Sequence, residues 1–179
     1  MSFLYFAYGS NMLSSRLIAR CPSAKAIDHG VAQGWDLEFS KKSIDGSGKA
    51  TLITNAEAIH TPGVLFEVNV RELNDLDRFE GAGKGYDRLD DFEIETSKGS
   101  VKAVTYLASE RHSNMIPFDW YLALIVAGVL EHKLADGHAD NLRKTTRKPD
   151  LKLTRKSRIA ALEALSRHDH VDYLALLES

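Results

Sequence analysis

Glu80 closes a short stretch in which Leu73, Leu76 and Phe79 recur every third residue, and Gly81 follows at once. That spacing predicts a helix with a carboxylate at its C-terminal end, facing the negative end of the helix dipole, a placement that disfavours the ionised form. A carboxyl group that exists in both states near neutral pH is a usable general acid and base. The next residues, Gly81-Ala82-Gly83-Lys84-Gly85, allow tight turns and close approach of a ligand. Taken alone, Glu80 reads first as a solvated surface acid before a capping glycine, since acidic residues are plentiful in this chain.

The second candidate lies near the start of the chain, where the apolar run of residues 3–8 meets Gly9-Ser10-Asn11. A strand that turns there into a helix over residues 12–20 presents free backbone N–H groups at a fixed point, which is how a fold holds a small anion or an oxyanion. The plainer alternative is an ordinary strand-to-helix turn capped by Ser10 or Asn11, with Tyr5 and Tyr8 as core aromatics. Tyr86, Arg88, Tyr106 and Tyr121 stand at the edges of apolar elements and are weaker candidates. The seven histidines show no metal-ligand spacing, and His168-Asp169-His170 reads as a solvated helix end. The basic run from Arg143 to Arg158 lacks interleaved aromatics for base stacking, so an exposed linker is expected rather than a nucleic-acid site.

The elements that must position these groups are mixed. The predicted helix over 12–20 places Leu13, Leu17 and Ile18 on one face and stops at Cys21-Pro22. Strands are expected over 31–39, 49–54 and 64–70, separated by turns at 45–48 and at Thr61-Pro62-Gly63. Residues 86–95 and 101–107 read as a hairpin, the second strand partly buried on both faces. Residues 118–134 form an apolar helix, and 154–177 hold one or two amphipathic helices through Ile159, Leu162 and Leu165. Strands dominate the first two thirds without βα alternation, which argues against a doubly wound sheet and for a largely closed mixed sheet with helices around it.

With 179 residues, 44% of them hydrophobic, the chain has bulk for one domain with a substantial core. A net charge of −2 supplies no global field for nucleic acid or an anionic membrane. The single cysteine, Cys21, reads as a buried spacer and excludes an internal disulfide. No apolar run reaches the roughly 18 residues of a membrane span, so a cytoplasmic protein is expected. The apolar stretch around Trp120 serves either a core or a homodimer interface.

Together these segments resemble the γ-glutamylcyclotransferases. Residues 3–12, ending in Tyr8-Gly9-Ser10-Asn11-Met12, carry the resemblance with the Leu76-Asp77-Arg78-Phe79-Glu80-Gly81 segment some seventy residues later, then Gly85-Tyr86, Thr105-Tyr106-Leu107 and Tyr121. It spans roughly residues 3–134, so the domain is placed at 1–140, with 141–179 a basic segment and helical extension packed on it. The resemblance implies an α+β fold, a small mixed β-barrel with flanking helices, and no cofactor or metal. It implies cyclisation of a γ-glutamyl amino acid or amine to 5-oxoproline, an intramolecular acyl transfer in which Glu80 is the catalytic acid and base. Tyr8, Gly9, Ser10, Asn11, Met12, Tyr86 and Tyr121 would bind this small-molecule γ-glutamyl substrate. A relative that removes a γ-glutamyl cap in a biosynthetic pathway, or a silent ligand-binding member of the fold, remains the alternative.

Overall fold

The computed structural model describes residues 1–55, 60–168, 170 and 172–178. Five strands close a barrel: β1 (Ser2–Ala7), β5 (His60–Asn69), β2 (Lys25–Gln33), β6 (Tyr86–Thr96) and β7 (Gly99–Ala108), in that spatial order. Neighbours run antiparallel except at the closure, where β1 lies parallel to β7 with Tyr5 opposite Val104. This is the mixed barrel that the strand-rich first two thirds implied.

A separate hairpin, β3 (Trp35–Lys42) and β4 (Gly48–Thr54), packs outside the barrel's hydrogen-bonded ring. The expected single strand over 31–39 is therefore wrong. Gly34, at φ +73°, breaks it, so that β2 stays in the barrel and β3 leaves for the hairpin. The expected turn at Thr61-Pro62-Gly63 is also wrong, since all three residues lie within β5. Pairing with β1 ends at Ala7 opposite Val64, so Pro62, paired to Val31 of β2, lies beyond the β1 ladder, where a missing N–H does no damage.

The predicted helix over 12–20 divides into a 3₁₀ turn, Ser10–Met12, and α1 (Ser14–Ile18), with Leu13 extended between them. Leu13 and Leu17 are fully buried, whereas Ile18 is 42% exposed and leaves the expected apolar face. α2 (Leu73–Glu80) matches expectation and ends at Gly81 in the left-handed conformation, the backbone state a helix C-terminus favours. Its Leu76 enters the core, but Phe79 is 46% exposed.

α3 (Asp119–Glu131) is buried from Asp119 to Val129, and a helix apolar on all sides belongs in a core. Each fully buried large apolar side chain contributes ~1.5–3 kcal/mol, and Trp120, Leu122, Leu124 and Ile125 are all buried here, so α3 is the post on which the helical layer is built. Trp120 is thus core. Its indole Nε1 donates to Asp150 at 3.1 Å. α4 (His138–Arg143), which periodicity did not reveal, crosses residue 140, and α5 (Lys156–Ser166) packs against α3 and α1. Leu165 of α5 is buried and Ile159 exposed. No described helix is long and apolar enough to cross a membrane.

Candidate active site

The chain enters the site through β1. After Ala7 it leaves the ladder, and Gly9 O accepts from Met12 N–H at 3.0 Å to close the 3₁₀ turn. As the first N–H groups of a helical turn, those of Ser10 and Asn11 have no partner within it. The turn rests directly on α3: a Cβ on Gly128 would lie 2.7 Å from Met12 Cβ and from Leu13 N, so only glycine permits the contact. Glu131 at the end of α3 accepts from Ser14 N–H at 2.9 Å. Burial alone would raise the Glu131 carboxyl, but hydrogen bonds from His132 and Ser14 outweigh it and bring it down to about 2, a fixed charge that anchors α1.

α2 is anchored independently. Asp77 accepts from Tyr106 OH at 2.7 Å through Oδ1 and from Arg88 at 2.6 Å through Oδ2, tying the helix to β7 and β6. Glu80 lies three residues on, so the same helical face delivers it to the loop. There its Oε1 accepts from Asn11 Nδ2 and from Arg20, both at 2.8 Å. Arg20 also donates to Asn11 Oδ1 at 3.0 Å, and Asn11 Nδ2 to Tyr5 OH at 3.1 Å. Glu80 Oε2 takes no hydrogen bond from the described residues. One oxygen is pinned and the other is open to a further hydrogen bond. The dipole argument from the sequence omitted Arg20, a cation in direct contact with the carboxylate.

Around Glu80 a narrow cavity of about 30 Å³ is walled by five tyrosines, Tyr5, Tyr8, Tyr86, Tyr106 and Tyr121, together with Gly9, Ser10, Asn11 and Ala50. The hydroxyls are held in place. Tyr8 OH donates to Tyr106 O, Tyr86 OH donates to Ala50 O at 2.7 Å, and Ala50 N–H donates to Tyr121 OH at 3.1 Å. Burial pushes all five phenols up, and they stay neutral hydrogen-bonding groups.

Of the residues proposed from the sequence, Glu80, Tyr8, Gly9, Ser10, Asn11, Tyr86 and Tyr121 converge on this cavity, which draws on elements more than a hundred residues apart. Met12 does not line it; its side chain is fully buried beneath the turn, against α3. Arg20 was missed, although its spacing of four from Arg16 put two cations on one face of the predicted helix just after the loop. Tyr5 alternates with the inward Phe6 and was read only as a packing residue. A larger groove of about 760 Å³, lined by Trp35 and residues 88–93 of β6, brings no comparable set of groups together. Among the described residues no three His, Cys, Asp or Glu side chains gather to hold a metal.

A closed mixed barrel carrying a pinned carboxylate over a tyrosine-walled cavity, with the Gly9-Ser10-Asn11 turn in its lining, defines a candidate small-molecule site. Comparison with known proteins gives the class a family. The AIG2-like family profile matches residues 60–142. The γ-glutamylcyclotransferase of Homo sapiens is 30% identical over 147 residues, 79% of this chain and 78% of that protein, and the one from Bos taurus is 29% identical over 137 residues, 74% and 73%. A solved γ-glutamyl cyclotransferase superposes with a TM-score of 0.81 at 26% identity, covering 91% of this chain and 99% of that one. The chain belongs to the γ-glutamylcyclotransferase family.

Proposed function

We propose that the protein cyclises the γ-glutamyl group of a γ-glutamyl amino acid or amine to 5-oxoproline and releases the free amino acid or amine. The observation that carries this reading is Glu80: a carboxylate with Oε1 held by Asn11 and Arg20, Oε2 without a partner, and a polar cavity at its face. In this reaction the substrate's own α-amine attacks its γ-carbonyl, so the protein need supply no nucleophile. It must fold the glutamyl chain into an attacking conformer, and such positioning is worth effective molarities of roughly 10⁵–10⁸ M.

The proton balance suits one carboxyl group. The α-ammonium sheds two protons as it becomes the lactam N–H, and the amide nitrogen gains two as the Cδ–N bond breaks and it departs as an ammonium. Glu80 Oε2 relays them and ends as it began. The N–H groups of Gly9, Ser10 and Asn11 serve the α-carboxylate or the oxyanion that forms at the γ-carbonyl carbon.

Glu80→Gln preserves shape and the contacts of Oε1 while removing the relay. Mass spectrometry of 5-oxoproline released from a panel of γ-glutamyl dipeptides and γ-glutamyl amines is expected to show turnover by the wild type and none above background by the variant. Wild-type turnover by Glu80→Gln would remove Glu80 from the chemistry.

A further inference from the structure

The tyrosine-walled cavity shares Ser10, Glu80, Tyr86 and Tyr121 with a wider cleft of about 460 Å³, into which six cations project: Arg16, Arg20, Lys41, Lys49, Arg155 and Lys156. Three of the six are neutralised locally. Arg20 pairs with Glu80 at 2.8 Å, Lys49 with Asp45 at 3.2 Å, and Arg155 with Asp150 at 2.6 Å. The other three form no ion pair with a described acid, although Asp45 and Glu80 favour the charge of Lys41 from a distance, as Glu80 does that of Arg16. Arg16 has only the neutral Ser10 Oγ, at 3.1 Å, and its charge is made costly by burial and by Arg20. Lys41 lies with Nζ 5.1 Å from the centre of the Tyr86 ring, and Lys156 is exposed at the start of α5.

Two of these lysines lie one ring away from the cavity. Lys41 covers Tyr86, and Lys49 Nζ lies 4.4 Å from the ring centre of Tyr121 and 4.7 Å from that of Trp120. Both tyrosines are walls of the cavity. The cations therefore stand on the outer side of the walls that would enclose the γ-glutamyl group, where the leaving group must emerge. The α-carboxylate of that group falls to the loop N–H groups, and the cleft's uncompensated charge is left for the leaving group. Three unmatched cations exceed what one carboxylate needs.

Resting on the cyclotransferase reading, we infer that this cleft selects a leaving group with two negative charges: an amino acid with an acidic side chain, released from a γ-glutamyl-glutamate or γ-glutamyl-aspartate type of substrate. Lys41 and Arg16 meet one carboxylate and Lys156 the other, so the C-terminal segment, expected from the sequence to be an exposed linker, becomes part of specificity. Asp150 holds that segment in place. Its side chain is nearly fully buried, accepts from Trp120 Nε1 of α3, and grips Arg155 through two hydrogen bonds. The reaction is unchanged: the N–Cδ bond of the lactam forms, the Cδ–N amide bond breaks, and the acidic amino acid leaves with the two protons.

The test compares γ-glutamyl-glutamate with its neutral isostere γ-glutamyl-glutamine, following 5-oxoproline at low and high salt, for the wild type and for Lys41→Gln and Lys156→Gln. The expected result is a kcat/KM at least about tenfold higher for the acidic substrate at low salt, carried mainly by KM, shrinking with added salt. Each variant should narrow that ratio. Turnover of γ-glutamyl-glutamine with no advantage for γ-glutamyl-glutamate, or a ratio that neither variant moves, overturns the subsite and leaves the cyclotransferase reading standing. Absence of 5-oxoproline from both substrates overturns both.

Discussion

Asp77→Ala removes the acceptor that holds α2 to the barrel, and it reaches the cavity only through the hydroxyl of Tyr106, one of its walls. Two contacts are lost. Tyr106, 2% exposed, keeps its hydroxyl but loses the carboxylate it donates to at 2.7 Å, at a cost of ~1–3 kcal/mol for a buried donor left unmet. Arg88 loses its 2.6 Å partner but keeps Asp90 at 2.8 Å, and as a half-solvated pair the lost contact is worth ~1 kcal/mol or less. The sum, ~1–4 kcal/mol, lowers Tm by roughly 2–16 °C for a chain of this length.

The catalytic effect comes from one helical turn further on. Once α2 is free to shift, Glu80 loses register with the loop, and a displacement of ~1 Å costs on the order of 10²-fold in rate. Asp77→Ala should therefore reduce kcat for 5-oxoproline release roughly 10–100-fold with little change in KM and an unchanged pH profile, measured where circular dichroism shows the variant folded. Asp77→Asn, whose amide oxygen still accepts from Tyr106, should stay close to wild type. A folded Asp77→Ala with wild-type kcat would refute the anchoring argument. An Asn variant as impaired as Ala would shift the anchor from Tyr106 to Arg88.

Gly9→Val should cut turnover by 10²-fold or more with the far-ultraviolet spectrum retained, since even a Cβ there would lie 3.3 Å from Ala50 Cβ and the loss of one oxyanion donor costs ~3–4 kcal/mol; normal activity would remove the loop from the mechanism. Gly63→Ala should destabilise by ~1–3 kcal/mol in urea unfolding, because its Cβ would meet Ala7 O at 2.5 Å and the Phe6 ring at 2.6 Å; an unchanged midpoint would show that β5 can shift at no cost. All six tyrosines have raised phenols, burial being the first cause of each. Above pH ~10 the unfolded chain gives up phenol protons that the native state keeps, so stability falls as pH rises. Phenolate absorbance near 295 nm should then appear together with loss of structure; titration of buried phenols in a chain that stays folded would contradict the packing.

Much of the fold was legible because period and punctuation are local. The hairpin of β6 and β7, the apolar α3 and the helix ending at Glu80-Gly81 all follow from spacing within a dozen residues. The failures have one cause. Residues 31–39 look continuous because nothing local says that Gly34 sends its two sides into different sheets. Thr61-Pro62-Gly63 carries turn chemistry yet lies in a strand, because the β1 ladder ends before Pro62 and Phe6 fills the space a side chain would need beside Gly63. Neither fact exists until the barrel closes.

The site divides along the same line. The sequence by itself singled out the candidate groups, Glu80 and the Gly9-Ser10-Asn11 turn, since a carboxylate at a helix end and a glycine turn after an apolar run are properties of adjacent residues; their proposed roles came from the family resemblance. Only the tertiary structure decided that Arg20 and Asn11 pin one oxygen of Glu80, that Tyr5 and Tyr106 join the cavity wall while Met12 supports it from beneath, and that Arg155 and Lys156 border the cleft. These are contacts across up to about 150 residues. They depend on which strands pair and which helix faces meet, and no local pattern encodes such distances.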